Sequence, residues 1–429
     1  MNTVSILFAL PLLVIFSYLF DAFARKTKFP AVILLLLTGV LIRVITSANG
    51  YEDFEFLNDL IPVLGTIGLI LIVLEGALEL EINRQKLPTI LKGFLSAIVI
   101  LLLNIVVISW FFNYFLGMEL HTATIFATPL SIISSAVAIP SAANLLNQDK
   151  EFVVYESTFS DILGIVIFNY AIRQAESGQP MIAIESIVGL GLQILGIVVI
   201  SILITYVLFR LLQNIEHHVK FFLILSLLIL VYAIGKFFHL PALLTIFIFG
   251  VFLSNIKELL PKFLLRYFQL NHSEKDLHEF HILTAESTFI VRTFFFLFFG
   301  FSIVISDFDS FMPLVYGVLV FAIMFLIRYL YFVLTSFKIK PSVLLYMSPR
   351  GLISILLFLQ IKDLEIIKLE KSVIDERMLL VVILTSMLAM TLGTLSNKQK
   401  SIPEEVVLEE EEMIGLNSSE DLIEEDPID

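Results

Sequence analysis

The chain has 429 residues, of which 58% are hydrophobic and only 16% charged, and its mean hydropathy is +0.95. Soluble domains carry about 25% charged residues, so this composition excludes a string of soluble domains and predicts a polytopic membrane protein. The net charge of −13 comes largely from residues 401–429, which hold twelve Asp or Glu and no Lys or Arg; no basic face is left for nucleic acid, and the lack of Cys removes disulfides, thiolate metal sites and Cys nucleophiles.

A bilayer core about 30 Å thick takes about 20 apolar residues of helix. By that measure the sequence predicts thirteen spans, at 3–20, 29–47, 61–80, 88–116, 122–146, 152–173, 182–212, 219–237, 240–256, 286–305, 312–337, 341–361 and 376–396. Ala22-Phe23-Ala24 resembles a signal-cleavage site. No positive residue precedes that run, however, and Arg25, Lys26 and Lys28 follow it, so it reads as a first span. The longest polar break, 257–285, reads as a surface amphipathic helix (KELLPKFLLRYFQL) followed by a polar turn. Lys and Arg crowd into one set of loops, among them Arg84, Lys86, Lys150, Lys338 and Lys340. The positive-inside rule then places the N-terminus outside and the acidic tail, read as disordered, in the cytoplasm.

Thirteen spans parse as six, a linker and six, which inverts the second half relative to the first. Span 5 then pairs with 12, 6 with 13 and 3 with 10. Span 5 carries Pro129 and Pro140 with small and hydroxylated residues between them, and span 12 opens YMSPRGLIS. Interruptions in corresponding spans mark an inverted-repeat transporter with discontinuous helices at the midplane. The prolines are expected to place the break in span 5. Its backbone carbonyls, with Thr128, Ser131, Ser134 and Ser135, would offer hard oxygen donors for an alkali cation.

Carboxylates in hydrocarbon are costly and mark function by default. Asp161 lies ten residues into span 6, about 15 Å deep. Ser157 precedes it by one helical turn and Gly164 follows by three residues. Glu156 projects from another face, with Ser160 one turn on, so two carboxylates imply two tasks. Arg350 follows the Pro349 break; a buried Arg needs a carboxylate, and Glu156 is the expected partner in a structural ion pair. Arg328 in span 11 either snorkels to the cytoplasmic surface or faces the Asp161 cavity. Glu75 in span 3 and Arg292 in span 10 sit on symmetry partners, and either pair or line the cavity. His278 and His281 fall in a polar stretch that reads as solvated surface. No resident metal cluster, cofactor motif or nucleophile–base set emerges, so neither an enzyme nor a cofactor is expected.

Three stretches carry a resemblance to a known family over roughly residues 1–397. ESTFSDILGIVIF resembles the Glu-Ser-x-x-Asn-Asp motif of the monovalent cation–proton antiporter superfamily, sodium/proton exchanger branch. MSPRGLIS is similar to its Gly-Gly-x-Arg-Gly motif, with Arg350 and Gly351 matching, and LEGALEL to its Glu-Ala-Gly-Leu motif, with Glu75 matching. Two departures stand out: Ser160 replaces the usual Asn before the Asp, and Ser135-Ala136 replaces the usual Asp-Pro of the broken helix. The resemblance implies an all-α membrane protein of about thirteen helices, a 6+6 inverted repeat working as a homodimer by an elevator motion. A core of about 88–173 and 312–396 would slide on a dimer domain of about 1–80 and 219–305, joined by linker 182–212, within a transport domain of 1–400. It implies that Asp161 takes either a proton or a monovalent cation, sodium or potassium, and that Glu156 pairs with Arg350. Ser157, Ser160, Thr128, Ser134 and Ser135 would complete the ion site in a cell membrane. One acid at the site makes electroneutral exchange the natural expectation. An ion-coupled organic solute carrier on the same plan, and a transport-inactive sensor or scaffold, are the alternatives.

Overall fold

The computed structural model describes residues 3–27, 29–50, 56–143, 145–178, 189, 191–192, 195–196, 198–207, 220–237, 242–259, 273–303, 311–335, 343–362 and 374–396. The elements are α1 (Thr3–Thr27), α2 (Ala31–Ala48), α3 (Phe56–Leu78), α4 (Leu87–Leu116), α5 (Leu120–Ser131), α6 (Ser135–Ser141) and α7 (Asn147–Ser177). There follow α8 (Val198–Val207), α9 (Lys220–Phe237), α10 (Ala242–Ser254), α11 (Ile256–Leu259), α12 (Ser273–Ser302), α13 (Met312–Leu334), α14 (Leu352–Lys362) and α15 (Glu376–Ser396). No strand occurs among the described residues. Seven helices there are long and apolar enough to cross a membrane, counting α5 with α6 as one, and shorter apolar helices accompany them. Each of the thirteen sequence segments contains helix among its described residues, the twelfth only from Leu352 on. Residues Met1–Thr394 form one compact unit. The acidic tail lies outside the described residues, as do His217 and His218.

The helices bury one side and leave the other apolar. On α4, Ser96, Ala97, Ile100 and Asn104 are buried, while Leu95, Leu102, Leu103, Val106 and Trp110 are exposed. An exposed apolar stripe on a 30-residue helix suits hydrocarbon rather than water. Two sets of helices pack most closely. In one, α2, α3 and α10 gather with α12; in the other, α4, α5, α6 and α7 pack together with α13 alongside α4. The α2–α12 crossing is tight because each helix brings a glycine: a Cβ on Gly39 would fall 2.1 Å from Leu297 O, and one on Gly300 would fall 2.3 Å from Leu36 O. Small residues let membrane helices approach this far, where no hydrophobic drive separates helix from lipid.

One sequence expectation needs correction here. The polar residues 273–285 are not a turn; they are the first turns of the 30-residue α12. Nothing in SEKDLHEFHILTA breaks a helix, so its polar end continues into the span. The break in span 5 falls between Pro129 and Pro140, where the sequence placed it. Pro129 lies within α5 and Pro140 within α6, and the extended residues are Ile132–Ser134 between them.

Candidate functional site

The break in span 5 exists because other elements supply its hydrogen bonds. Buried N–H groups without partners cost several kcal/mol in a membrane, and three consecutive ones are satisfied from outside the segment. Ile133 N–H donates to Ser160 Oγ at 2.9 Å, Ser134 N–H to Pro349 O at 2.9 Å, and Ser135 N–H to Asp161 Oδ2 at 3.1 Å. The first and third acceptors come from α7, the second from the extended stretch 347–351 that precedes α14. The two interrupted spans therefore cross at Ser134 and Pro349. Gly351 is required at that crossing, since a Cβ there would lie 2.5 Å from Ser134 Oγ.

The opposite ends of the break are met by buried arginines. Arg350 Nε donates to Leu130 O at 2.8 Å, near the C-terminus of α5, and its Nη1 donates to Ser348 O at 2.7 Å. Arg328 Nε donates to Leu344 O and Leu345 O, at 3.0 and 3.1 Å, at the other break. Carbonyls left over at helix ends carry partial negative charge, which a guanidinium neutralises while filling their lone pairs.

The ion partner of Glu156 is Arg328, not Arg350. Arg328 Nη1 reaches Glu156 Oε1 at 2.9 Å and Nη2 reaches Oε2 at 2.7 Å, a bidentate pair with both side chains 1% exposed. Ser96 Oγ adds a hydrogen bond to Oε1 at 2.6 Å, and the guanidinium lies 5.0 Å from the Phe332 ring centroid. Spacing could not choose between the arginines, because Glu156, Arg328 and Arg350 all sit well inside their spans. What separates them is the unwinding at 347–351, which aims Arg350 at Leu130 instead. Arg328 therefore neither snorkels nor faces Asp161. Ser96 was missed in the sequence because one Ser in the apolar run of α4 carries no signal of its own.

Asp161 is a different kind of carboxylate. It is 2% exposed, Oδ2 takes the Ser135 N–H, and Oδ1 has no hydrogen-bond partner. No Lys or Arg nitrogen among the described residues lies within salt-bridge distance of it. Ser134 Oγ is likewise buried and unpartnered. Three other candidate hydroxyls donate to their own helix: Ser157 Oγ to Val153 O at 2.7 Å, Thr128 Oγ1 to Thr124 O at 2.8 Å and Ser131 Oγ to Ala127 O at 2.8 Å. Their lone pairs remain open to a cation, but their protons are committed.

A cavity of about 760 Å³ lies beside this site. Its walls include Glu75, Gly76 and Glu79 from α3 and its end, Ser135 and Ala136 from α6, Tyr155 from α7, and His278, His281 and Arg292 from α12. Both histidines line this cavity, His278 exposed and His281 half-buried. Asp161 is not among the lining residues, but Ser135, which donates to it, is. Glu75 and Arg292 both line the cavity without forming an ion pair; the Arg292 hydrogen bond goes to Ala136 O at 3.1 Å. Lys86 bridges Glu81 and Glu151 at the rim, the latter at 3.0 Å.

The fold is shared with solved proteins. The sodium proton antiporter MjNhaP1 from Methanocaldococcus jannaschii at pH 8 superposes with a TM-score of 0.68 at 20% identity, over 92% of this chain and 99% of that one. A second structure of the same antiporter, from a 3D EM map, gives a TM-score of 0.66 at 18% identity over the whole of both chains. No curated protein matches the sequence. A transmembrane sodium/hydrogen exchanger family model matches residues 12–398. Nearly the whole length is covered, the two interrupted spans cross as such a transporter requires, and the chain belongs to the sodium/hydrogen exchanger family.

Proposed function

We propose that the protein exchanges a monovalent cation, sodium or potassium, for a proton, with Asp161 holding one or the other. The observation that carries this reading is the contrast between the two buried acids. Glu156 has both oxygens occupied by a fixed guanidinium, whereas Asp161 keeps Oδ1 open beside the equally open Ser134 Oγ. An unpaired anion at that depth is costly, so the site favours being neutralised by a proton or a coordinated cation. Both neutral forms can cross; the empty anion is penalised by desolvation, which makes exchange obligatory. One charge alternating between two neutral forms implies electroneutral exchange.

The remaining parts of this reading follow the packing. Helices α4–α7 with α13–α15 form the moving core, and α1–α3 with α9, α10 and α12 form a scaffold that also makes a homodimer. With the N-terminus outside, the cavity at Glu75 and Arg292 opens to the cytoplasm. The protein then acts in a cell membrane, with its acidic tail inside.

Proton flux in proteoliposomes tests this. A sodium or potassium pulse is expected to collapse an imposed pH gradient in the wild type, and Asp161→Asn to reduce the rate by about a hundredfold or more, as loss of an essential proton-carrying group implies. Full flux in Asp161→Asn would overturn the assignment. The cavity volume also falls within the roughly 300–1,000 Å³ of small-molecule pockets, which supports a second reading as an organic solute carrier. That reading requires no exchange with inorganic cations alone. A scaffold without transport would give no flux under any gradient.

A further inference from the structure

We infer that Arg292 is a positioning residue for the exchange site, holding the first turn of α6 so that Ser135 N–H is aimed at Asp161. The argument starts from what α6 lacks. It is a seven-residue helix whose N-cap, Ser134, makes no side-chain capping bond. An isolated helix of that length does not persist without tertiary support. Its first N–H, from Ser135, is spent on Asp161 Oδ2. The next residue, Ala136, offers its carbonyl to Arg292 Nη1 at 3.1 Å. The start of α6 is therefore gripped from both sides, by Asp161 from α7 and by Arg292 from α12 across the cavity.

This grip matters because the same two residues line the cavity, and Ser135 is bonded to Asp161. A guanidinium at the entrance to a cation site would repel the ion if left bare. Here it shares the cavity wall with two carboxyl side chains, Glu75 of α3 and Glu79 just beyond it. Arg292 is also placed on α12, which packs with α2 and α3, while α6 packs with α7. The bond thus crosses between the two packed sets of helices. Any motion of α7 past α12 must break it, so the aim of Ser135 N–H belongs to the arrangement in which the cavity is open. The sequence departure at Ser135-Ala136 fits the same picture: with no carboxylate and no proline at the start of α6, a guanidinium from another helix supplies the ordering.

The inference rests on Asp161 as the exchange site for its kinetic consequence, and on geometry alone for its structural one. Two measurements keep these apart. In proteoliposomes, Arg292→Gln is expected to raise the KM for sodium about tenfold with kcat within about twofold of wild type, as loss of one charged hydrogen bond acting on the site implies. Arg292→Lys, which keeps one cationic donor, is expected to bring KM back to within about threefold of wild type. Independently of transport, the Cys-free chain allows Ala136→Cys as a lone thiol. Its labelling by a membrane-impermeant thiol reagent is expected to be slow, and to speed up about fivefold or more when Arg292→Gln is added, because the freed turn opens more often. Unchanged labelling overturns the inference whether or not the protein exchanges ions. Increased labelling with KM unmoved overturns the link to Asp161 while leaving the structural tie standing. Where Arg292→Gln does not reach the membrane, Arg292→Lys is used, with intermediate labelling and KM expected and wild-type values of both overturning the inference.

Discussion

Glu156 and Asp161 stand five residues apart on one helix, both buried, and their partners differ. Glu156 is held by a bidentate guanidinium and a Ser96 hydroxyl. Replacing a buried pair with apolar residues is often tolerated, but removing one partner strands a charge and costs about 3–5 kcal/mol. Glu156→Gln is therefore expected to lower the thermal midpoint of the purified protein sharply. The partner is tested by non-additivity. Combined with Arg328→Gln, the losses are expected to fall well short of their sum, by more than about 1.5 kcal/mol. Combined with Arg350→Gln, they are expected to add to within about 0.5 kcal/mol. The reverse pattern would restore the Arg350 pairing that the motif resemblance implied.

The unit that matters at the scale of elements is the crossing of two interrupted spans. Each break is tolerated because its freed backbone groups find partners on other helices: Ser160 and Asp161 for the N–H groups at 133 and 135, Arg350 for the carbonyl at 130, Arg328 for those at 344 and 345. The breaks also lean on each other through Ser134 N–H and Pro349 O. Gly351 admits that approach, and a methyl group there would meet Ser134 Oγ at 2.5 Å and Ser134 Cβ at 2.9 Å. Gly351→Ala is expected to cost about 1–3 kcal/mol of stability, the usual toll of overpacking. Adding Ser134→Gly, which removes both clashing atoms, is expected to recover most of the lost thermal midpoint. If the double variant is no more stable than Gly351→Ala, the contact at the crossing is not what the glycine serves.

For the whole molecule the decisive property is which way it faces. The orientation proposed from the Lys and Arg bias has the α3–α4 connection inside and the α4–α5 connection outside. Arg84 and Glu119 are exposed in those two connections. Since the chain has no cysteine, Arg84→Cys and Glu119→Cys each give one reporting thiol. In intact cells an impermeant reagent is expected to label Glu119→Cys and to spare Arg84→Cys until the membrane is opened. Labelling of the Arg84→Cys form alone would invert the topology and place the cavity on the outer face.

The spans, the interrupted fifth and twelfth segments, and the burial of Asp161 and Glu156 were legible in the sequence, because each rests on a local cost. A run of about 20 apolar residues has nowhere to go but a bilayer, and an acid within such a run is expensive wherever the helix packs. What the sequence could not contain were choices among equivalent partners. Arg328 and Arg350 have the same chemistry, both deep within their spans, and only the unwound stretch at 347–351 sends one to Glu156 and the other to Leu130. The prolines bracketed the break without fixing its residues, because a backbone unwinds where other helices bring acceptors for its N–H groups, here at Ile133–Ser135. Ser96 and the Arg292–Ala136 bond left no trace in their own stretches of chain. Both join residues at least 60 positions apart, and such bonds exist only once packing has set the helices side by side.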